Sequence, residues 1–189
     1  MMALYCLIYH VSIEGDNTLG RTEMNQAYSF GSLTIASGCT FIATSGTTTV
    51  TGAVGSNFAI NNGGTFTHNS GTIDFTGSVQ QQTNDGLVLH NVICNNSHSN
   101  GLIYRNNTMN DLTVNASKNM SFYSGGGAIT VNGDATISGY FNKNGSASGS
   151  GAYSFGSLTI ASGGTYYATS ETTTIVGAGT IYDAGANPI

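Results

Sequence analysis

Nine carboxylates, four histidines, three cysteines and two threonine triplets are the side chains from which this 189-residue chain could build a reaction centre or a metal site. Cleaving a polysaccharide needs carboxylates converging on one face, often with Arg, Lys or calcium beside them. The acids are Glu14, Asp16, Glu23, Asp74, Asp85, Asp111, Asp134, Glu171 and Asp183, and apart from Glu14 and Asp16 they are scattered singly. Asp74 stands between Ile73 and Phe75, so alternation turns it outward, and Glu171 takes the place of Gly46 at a corner. No DxDxDG loop and no calcium-binding glycine–aspartate nonapeptide occurs. Of the histidines His10, His68, His90 and His98, the last two lie across a strand and a turn from each other, a spacing at which they could share a metal. His68 occupies the register position of Ala43 and Ala168, an inward or edge site. A lone His is more often a structural or exposed residue than a ligand, and none of the four is assigned a role. Cys6, Cys39 and Cys94 are odd in number, widely spaced and without a CxxC pair, which points to buried thiols rather than a disulfide framework or a zinc site. No GxSxG, P-loop or dinucleotide fingerprint occurs in a fitting context. The expectation is therefore a non-enzyme with no catalytic, cofactor-binding or metal residue; a binding residue is not identified.

The triplets Thr47-Thr48-Thr49 and Thr172-Thr173-Thr174 suggest another chemistry. In a strand the outer two hydroxyls of each triplet share a face, and a flat array of such hydroxyls could order water against ice. Thr also favours strands for its own sake and solubilises an outer wall.

These side chains must be carried by short strands. Residues 27–52, AYSFGSLTIASGCTFIATSGTTTVTG, return as 152–177, AYSFGSLTIASGGTYYATSETTTIVG, with six differences. Such a near-copy is an internal repeat. The stretch breaks at Ser-Gly or Gly into units of about eight residues, one short strand and one turn each. Within units the larger apolar residues alternate with small polar ones: Leu33 and Ile35, Phe41 and Ala43, Phe58 and Ile60, Ile73 and Phe75. Alternation argues for strands with one buried face. Phe41, Phe66 and Tyr166 share one register position, and Val50, Phe75 and Ile175 another. The stretch from Phe41 to Phe66 has room for three such units, a rung of three strands and three corners. That predicts an all-β, single-domain parallel β-solenoid, in which each coil buries its apolar face by stacking on the next. A β-sandwich is the alternative.

Charged residues make up 7% of the chain and the net charge is −5, with Arg21, Arg105, Lys118 and Lys143 as the cations. A nucleic-acid surface needs clustered Lys and Arg, so that partner is excluded. Residues 1–26 form a separate segment, read as a cap over the first coil or a leader-like stretch. The opening MMALYCLIYHVSI is too short for a transmembrane helix and lacks a cationic start and an A-x-A site, so no membrane insertion is expected. Residues 27–189 are the solenoid domain. Its rhythm loosens over 79–126, where strands fall at 86–94, 101–105, 111–115 and 120–123 and Asn crowds the breaks, a composition suited to side-chain ladders. Residues 127–139 are regular again, and 141–151 are the best candidate for a long flexible turn. The sequons at Asn95, Asn106, Asn115, Asn119 and Asn144 are read as by-products of an Asn/Ser/Thr-rich composition.

The phrases SLTIASGGTYYATSETTTIVG, GTFTHNSGTIDFTGS and MNDLTVNASKNMSF resemble the short repeats of large secreted β-solenoid proteins. These include bacterial adhesins of the autotransporter and filamentous-haemagglutinin type, and phage fibre or virion-surface proteins. The resemblance covers most of residues 27–177 and is one of repeat style. It implies a non-enzymatic structural or adhesive scaffold, extracellular and on a cell or virion surface. The expected partners are further copies of the chain, end to end or side by side, and surface glycans. Alternatives of other classes are a glycan-binding or glycan-degrading fibre domain and an ice-binding solenoid. The absence of a charged, amphipathic cap after the second copy suggests a piece of a longer array, a subunit joined end to end with others, or a stack capped by its short tail.

Overall fold

The computed structural model describes residues 11–13, 27–53, 58–99, 102–122, 127–142, 151–177 and 182–183. Among them the alternating units become strands of two to nine residues, no helix occurs, and every strand pairing is parallel. A sandwich of facing antiparallel sheets is thereby excluded; the chain is a β-solenoid. Its coils differ in length: the step that pairs Leu102 with Met120 is much shorter than the one that pairs Leu33 with Ile60.

Three walls run along the stack. The first holds Tyr28–Phe30, Thr47–Val50, Thr72–Phe75, Asn91–Cys94 and Asp111–Val114, then residues 135–137 and 158–160, and ends with Tyr182–Asp183. The second is the eight-stranded sheet from Val11–Ile13 through Leu33–Ile35 to Thr165–Tyr166. The third precedes the first-wall strands from Thr47–Val50 onward. It comprises Thr40–Ile42, Thr65–Thr67, the bridge at Val88, Asn107–Met109, residues 129–131 and 153–155, and Thr173–Ile175. Between the third and first walls the turn is shallow enough for Ile129–Ile137 and Tyr153–Ile160 each to run through it as one strand, with a register shift between Val131 and Asp134. Of residues 1–26, only Val11–Ile13 is described, and it pairs with Leu33–Ile35. Residues 143–150, most of the expected flexible turn, lie outside the described residues, as do Cys6, His10, Glu14, Asp16 and Glu23.

The core is a narrow apolar column fed by every wall. Phe41 lies on Phe66 with ring centroids 5.8 Å apart. Val50 pairs with Phe75, and both are buried. Near the other end Phe141 stacks on Tyr166 at 5.2 Å and meets Tyr153 and Phe155 edge-on at 5.3 and 5.9 Å. Burial raises the Tyr153 phenol pKa well above its ordinary value, with Tyr166 beside it as the lesser cause. Burial raises that of Tyr166 as well, against a hydrogen bond with Thr173 that lowers it.

The two near-copies are stacked in different phases. Tyr28–Phe30 sits on the first wall and Leu33–Ile35, after a corner at Gly31 and Ser32, on the second. In the second copy residues 153–155 sit on the third wall and 158–160 on the first. The shared register expected for Tyr166 with Phe41 and Phe66 is therefore wrong. Tyr166 pairs with Phe141 on the second wall, and Ile175 pairs with Phe155 on the third wall rather than joining the first-wall row of Val50 and Phe75. Coil lengths vary, so the distance along the chain between the copies is not a whole number of coils, and the second copy is displaced by one wall. Local geometry survives the shift: Gly38 and Gly163, equivalent turn residues, both have φ +81°, a conformation that glycine adopts without steric cost.

Asn residues at the corners bind coil to coil. Asn96, fully buried, donates from Nδ2 to Val79 O at 2.8 Å and Gln81 Oε1 at 2.6 Å, and its Oδ1 accepts the His98 N–H at 2.7 Å. Gln81 Nε2 reaches back to Val50 O and Gly52 O, both at 3.0 Å. Asn119 Nδ2 continues the line to His98 O at 3.2 Å. A second ladder runs outside, where Asn115 Nδ2 donates to Asn95 Oδ1 and Asn95 Nδ2 to Asp74 Oδ1 at 2.8 Å. Interior amides of this kind are stable only when their partners are present.

Candidate functional site

The third wall and its corner with the first carry a shallow depression of about 230 Å³ lined by His68, Val88, Leu89, His90, Thr108, Asn110 and Asn132. Alternation explains its floor. Leu87 and Leu89 point into the core, so Val88 faces out and is 52% exposed. Its rim is a column with one residue from each successive coil, His68, His90, Asn110 and Asn132 in turn. Backbone bonds hold the column, with Asn110 N–H donating to His90 O at 2.9 Å and Gly133 N–H to Asn110 O at 2.7 Å.

The two imidazoles meet in a T-shaped contact, ring centroids 5.3 Å apart. His68 Nδ1 accepts the Ser70 N–H at 2.9 Å, which leaves Nε2 as the protonated nitrogen of its neutral ring. His90 Nδ1 is shielded from solvent and has no hydrogen-bond partner. The spacing at which a metal could be shared was that of His90 with His98, neither of which was assigned a role. They stand instead at opposite ends of Asn91–Cys94, and His98 belongs to the Asn96–Asn119 line. His68, expected at an inward or edge site, is half-buried on the rim. Among the described residues no group of three or more His, Cys, Asp or Glu is arranged to hold a metal ion.

The acids are less scattered than the sequence suggests. Asp111 and Asp134, on adjacent rungs next to the Asn110–Asn132 column, stack one above the other. Asp111 Oδ1 accepts the Asp134 N–H at 2.9 Å, and Asp134 Oδ1 accepts the Ser157 hydroxyl. Asp85 Oδ1 similarly accepts the Asn106 N–H at 3.1 Å. Asp74 faces out between buried Ile73 and Phe75, and Glu171 is exposed at its corner, both as alternation required. Each carboxylate with a described bond is spent on the coil above it.

Thr47 and Thr49 face out while Thr48 is buried, as a strand demands. The hydroxyl array is interrupted, because the positions in register with Thr49 on the next rungs are Asp74 and Ile93. It resumes as the column Thr113, Thr136, Thr159. Cys39 and Cys94 are buried thiols outside any disulfide, Cys94 Sγ lying 3.3 Å from Asn119 O. What sequence reading missed is the His68–His90 contact and the Asp111–Asp134 stack. The signal was a separation of one full coil in each pair, which neighbour-by-neighbour inspection of a strand does not sample. No family model, curated protein or solved structure matches the chain.

Proposed function

We propose that this chain is a non-enzymatic structural or adhesive solenoid, working outside the cell or on a virion surface and associating with copies of itself. One observation carries this reading: the polar chemistry of the corners is directed along the stack axis. The Gln81–Asn96–Asn119 line, the Asp74–Asn95–Asn115 ladder and the Asp111–Asp134–Ser157 chain each tie a coil to the next. Such a body is a rigid rod of fixed spacing with walls of Thr, Ser and Asn, suited to contact with neutral surfaces and with identical neighbours. Electron micrographs and light scattering of the purified chain test it. Oligomers or rods without polysaccharide turnover support it. A monodisperse compact monomer, or turnover that disappears in Asp111→Asn or Asp134→Asn, refutes it.

The depression favours a second reading, a glycan-binding wall. Val88 offers an apolar floor for a sugar ring, and Thr108, Asn110 and Asn132 offer hydroxyl and amide groups around it. Binding to a glycan array that is lost in Val88→Lys and Asn110→Ala, with circular dichroism unchanged, supports that reading. Unaltered binding by both variants refutes it.

A further inference from the structure

Among the described hydrogen bonds, neither the His68 nor the His90 imidazole ties one coil to the next. His68 bonds within its own turn, where Nδ1 accepts the Ser70 N–H at 2.9 Å, and His90 Nδ1 is shielded from solvent without a partner. The turn after His68 holds two consecutive non-glycine residues in the left-handed region, Asn69 at φ +45° and Ser70 at φ +56°. Strained backbone of this kind clusters at ligand sites, and an orphaned buried nitrogen calls for a water or an ion.

The separation of the rings has a chemical meaning. Their centroids stand 5.3 Å apart and their planes cross at 73°. A tetrahedral ion about 2.0–2.1 Å from one nitrogen of each ring sets two imidazole centroids about 5 Å apart. The backbone therefore already holds the rings at the spacing of a shared ion, and rotation about the broad terminal torsion of each side chain converges the nitrogens. For His90 that rotation is favourable in itself. Turning the ring over buries Cδ2–H, which needs no partner, in place of the orphaned Nδ1. For His68 the ion takes the Nδ1 lone pair from the Ser70 N–H; Ser70 is exposed, so its N–H passes to water. Each ring keeps its proton on Nε2, so both coordinate as neutral imidazoles. The surrounding charge favours a cation: the chain carries a net −5, and among the described residues lining the depression none is Lys or Arg.

We propose that His68 and His90 form a two-imidazole site for a divalent transition ion of the zinc, copper and nickel class, its coordination completed by water and by the side-chain oxygens of Thr108 and Asn110. Imidazole suits these ions, whereas calcium and magnesium take oxygen ligands. Two imidazoles are fewer protein ligands than a structural zinc site uses, so the ion is exchangeable and the fold stands without it. The site is independent of whether a sugar occupies the Val88 floor.

Isothermal titration of the whole chain with zinc chloride tests the site, with magnesium chloride as the control. Wild type should bind zinc and not magnesium. His68→Gln and His90→Gln should each weaken zinc binding by at least about tenfold, since even an outer partner of a metal ligand is worth that much, with circular dichroism unchanged. His98→Gln and His10→Gln should bind as wild type does. Electron paramagnetic resonance of the chain loaded with copper chloride counts coordinated nitrogens without any substitution, so it holds even if the glutamine variants fail to fold; two imidazole nitrogens are expected. Wild type that takes up no zinc, a copper spectrum with fewer than two imidazole nitrogens, binding that survives both His68→Gln and His90→Gln, or binding lost in His98→Gln or His10→Gln would each overturn the site.

Discussion

Asn96→Leu isolates the strength of the polar line between the first and second walls. Asn96 is fully buried and makes three hydrogen bonds, to Val79 O, to Gln81 Oε1 and from the His98 N–H. Leucine keeps the same branched skeleton of four side-chain heavy atoms, so the shape is roughly retained and the bonds are the main loss. Three bonds at about 1 kcal/mol each, with at least one buried orphan at about 1–3 kcal/mol, give a cost of about 4–6 kcal/mol. That is a large part of a total of about 5–15 kcal/mol. Chemical denaturation followed by circular dichroism measures it. Gln81→Leu should be similarly costly, because it strands Val50 O and Gly52 O. The double variant should cost less than the sum by about 1–2 kcal/mol, since the Asn96–Gln81 bond is counted twice in the single variants. An Asn96→Leu cost below about 1 kcal/mol, or strict additivity of the pair, would refute the view that this line holds the coils together.

Three other substitutions test separate parts of the argument. The Thr48 hydroxyl is buried without a partner, whereas its equivalent, Thr173, bonds the Tyr166 hydroxyl at 2.7 Å; Phe41, the counterpart of Tyr166, has no hydroxyl to offer. Thr48→Val should therefore stabilise by about 1 kcal/mol, read as a higher denaturation midpoint, and a lower midpoint contradicts the burial argument. A Cβ on Gly71 would stand 1.9 Å from Thr44 O, so Gly71→Ala should cost about 1–3 kcal/mol, against less than about 0.5 kcal/mol for exposed Glu171→Gly. Equal melting shifts for the two would count against it. The raised Tyr153 and Tyr166 pKa values mean that the folded state holds its phenolic protons above the pH at which the unfolded chain releases them. This stability is complete below the unfolded value of about 10 and is lost as pH rises from there through the folded values. Tyr153→Phe should flatten that alkaline fall, and an unchanged slope would contradict it.

Much of the architecture was legible because its causes are local. Leu33 and Ile35, Ile73 and Phe75, and Leu112 and Val114 alternate with polar residues whatever the coil does next, and all six are buried. The vertical matches Phe41 to Phe66 and Val50 to Phe75 were readable because that coil has the same length on both walls. The Asn-rich breaks could be assigned to ladders because a short amide at a corner has few other ways to satisfy its hydrogen bonds. The candidate site was not legible. His68 and His90, or Asp111 and Asp134, meet only if the intervening coil has the length that puts them on the same corner. Coil length is not constant, as the short step from Leu102 to Met120 and the long one from Leu33 to Ile60 show.

The amino-acid order alone determined which side chains turn inward, where the chain breaks, and that its strands bury themselves by stacking, since these depend on a period of two and on turn chemistry. Which wall a strand occupies was decided only by the assembled stack. YSFGSLTI bends at Gly31 and Ser32 near one end of the molecule, yet at the other runs straight through Gly156 and Ser157 as Tyr153–Ile160. The second copy lies along Ile129–Ile137, and a strand takes the course of the backbone to which it is hydrogen-bonded. Local sequence sets the strand's faces, and the coil beneath it sets its path.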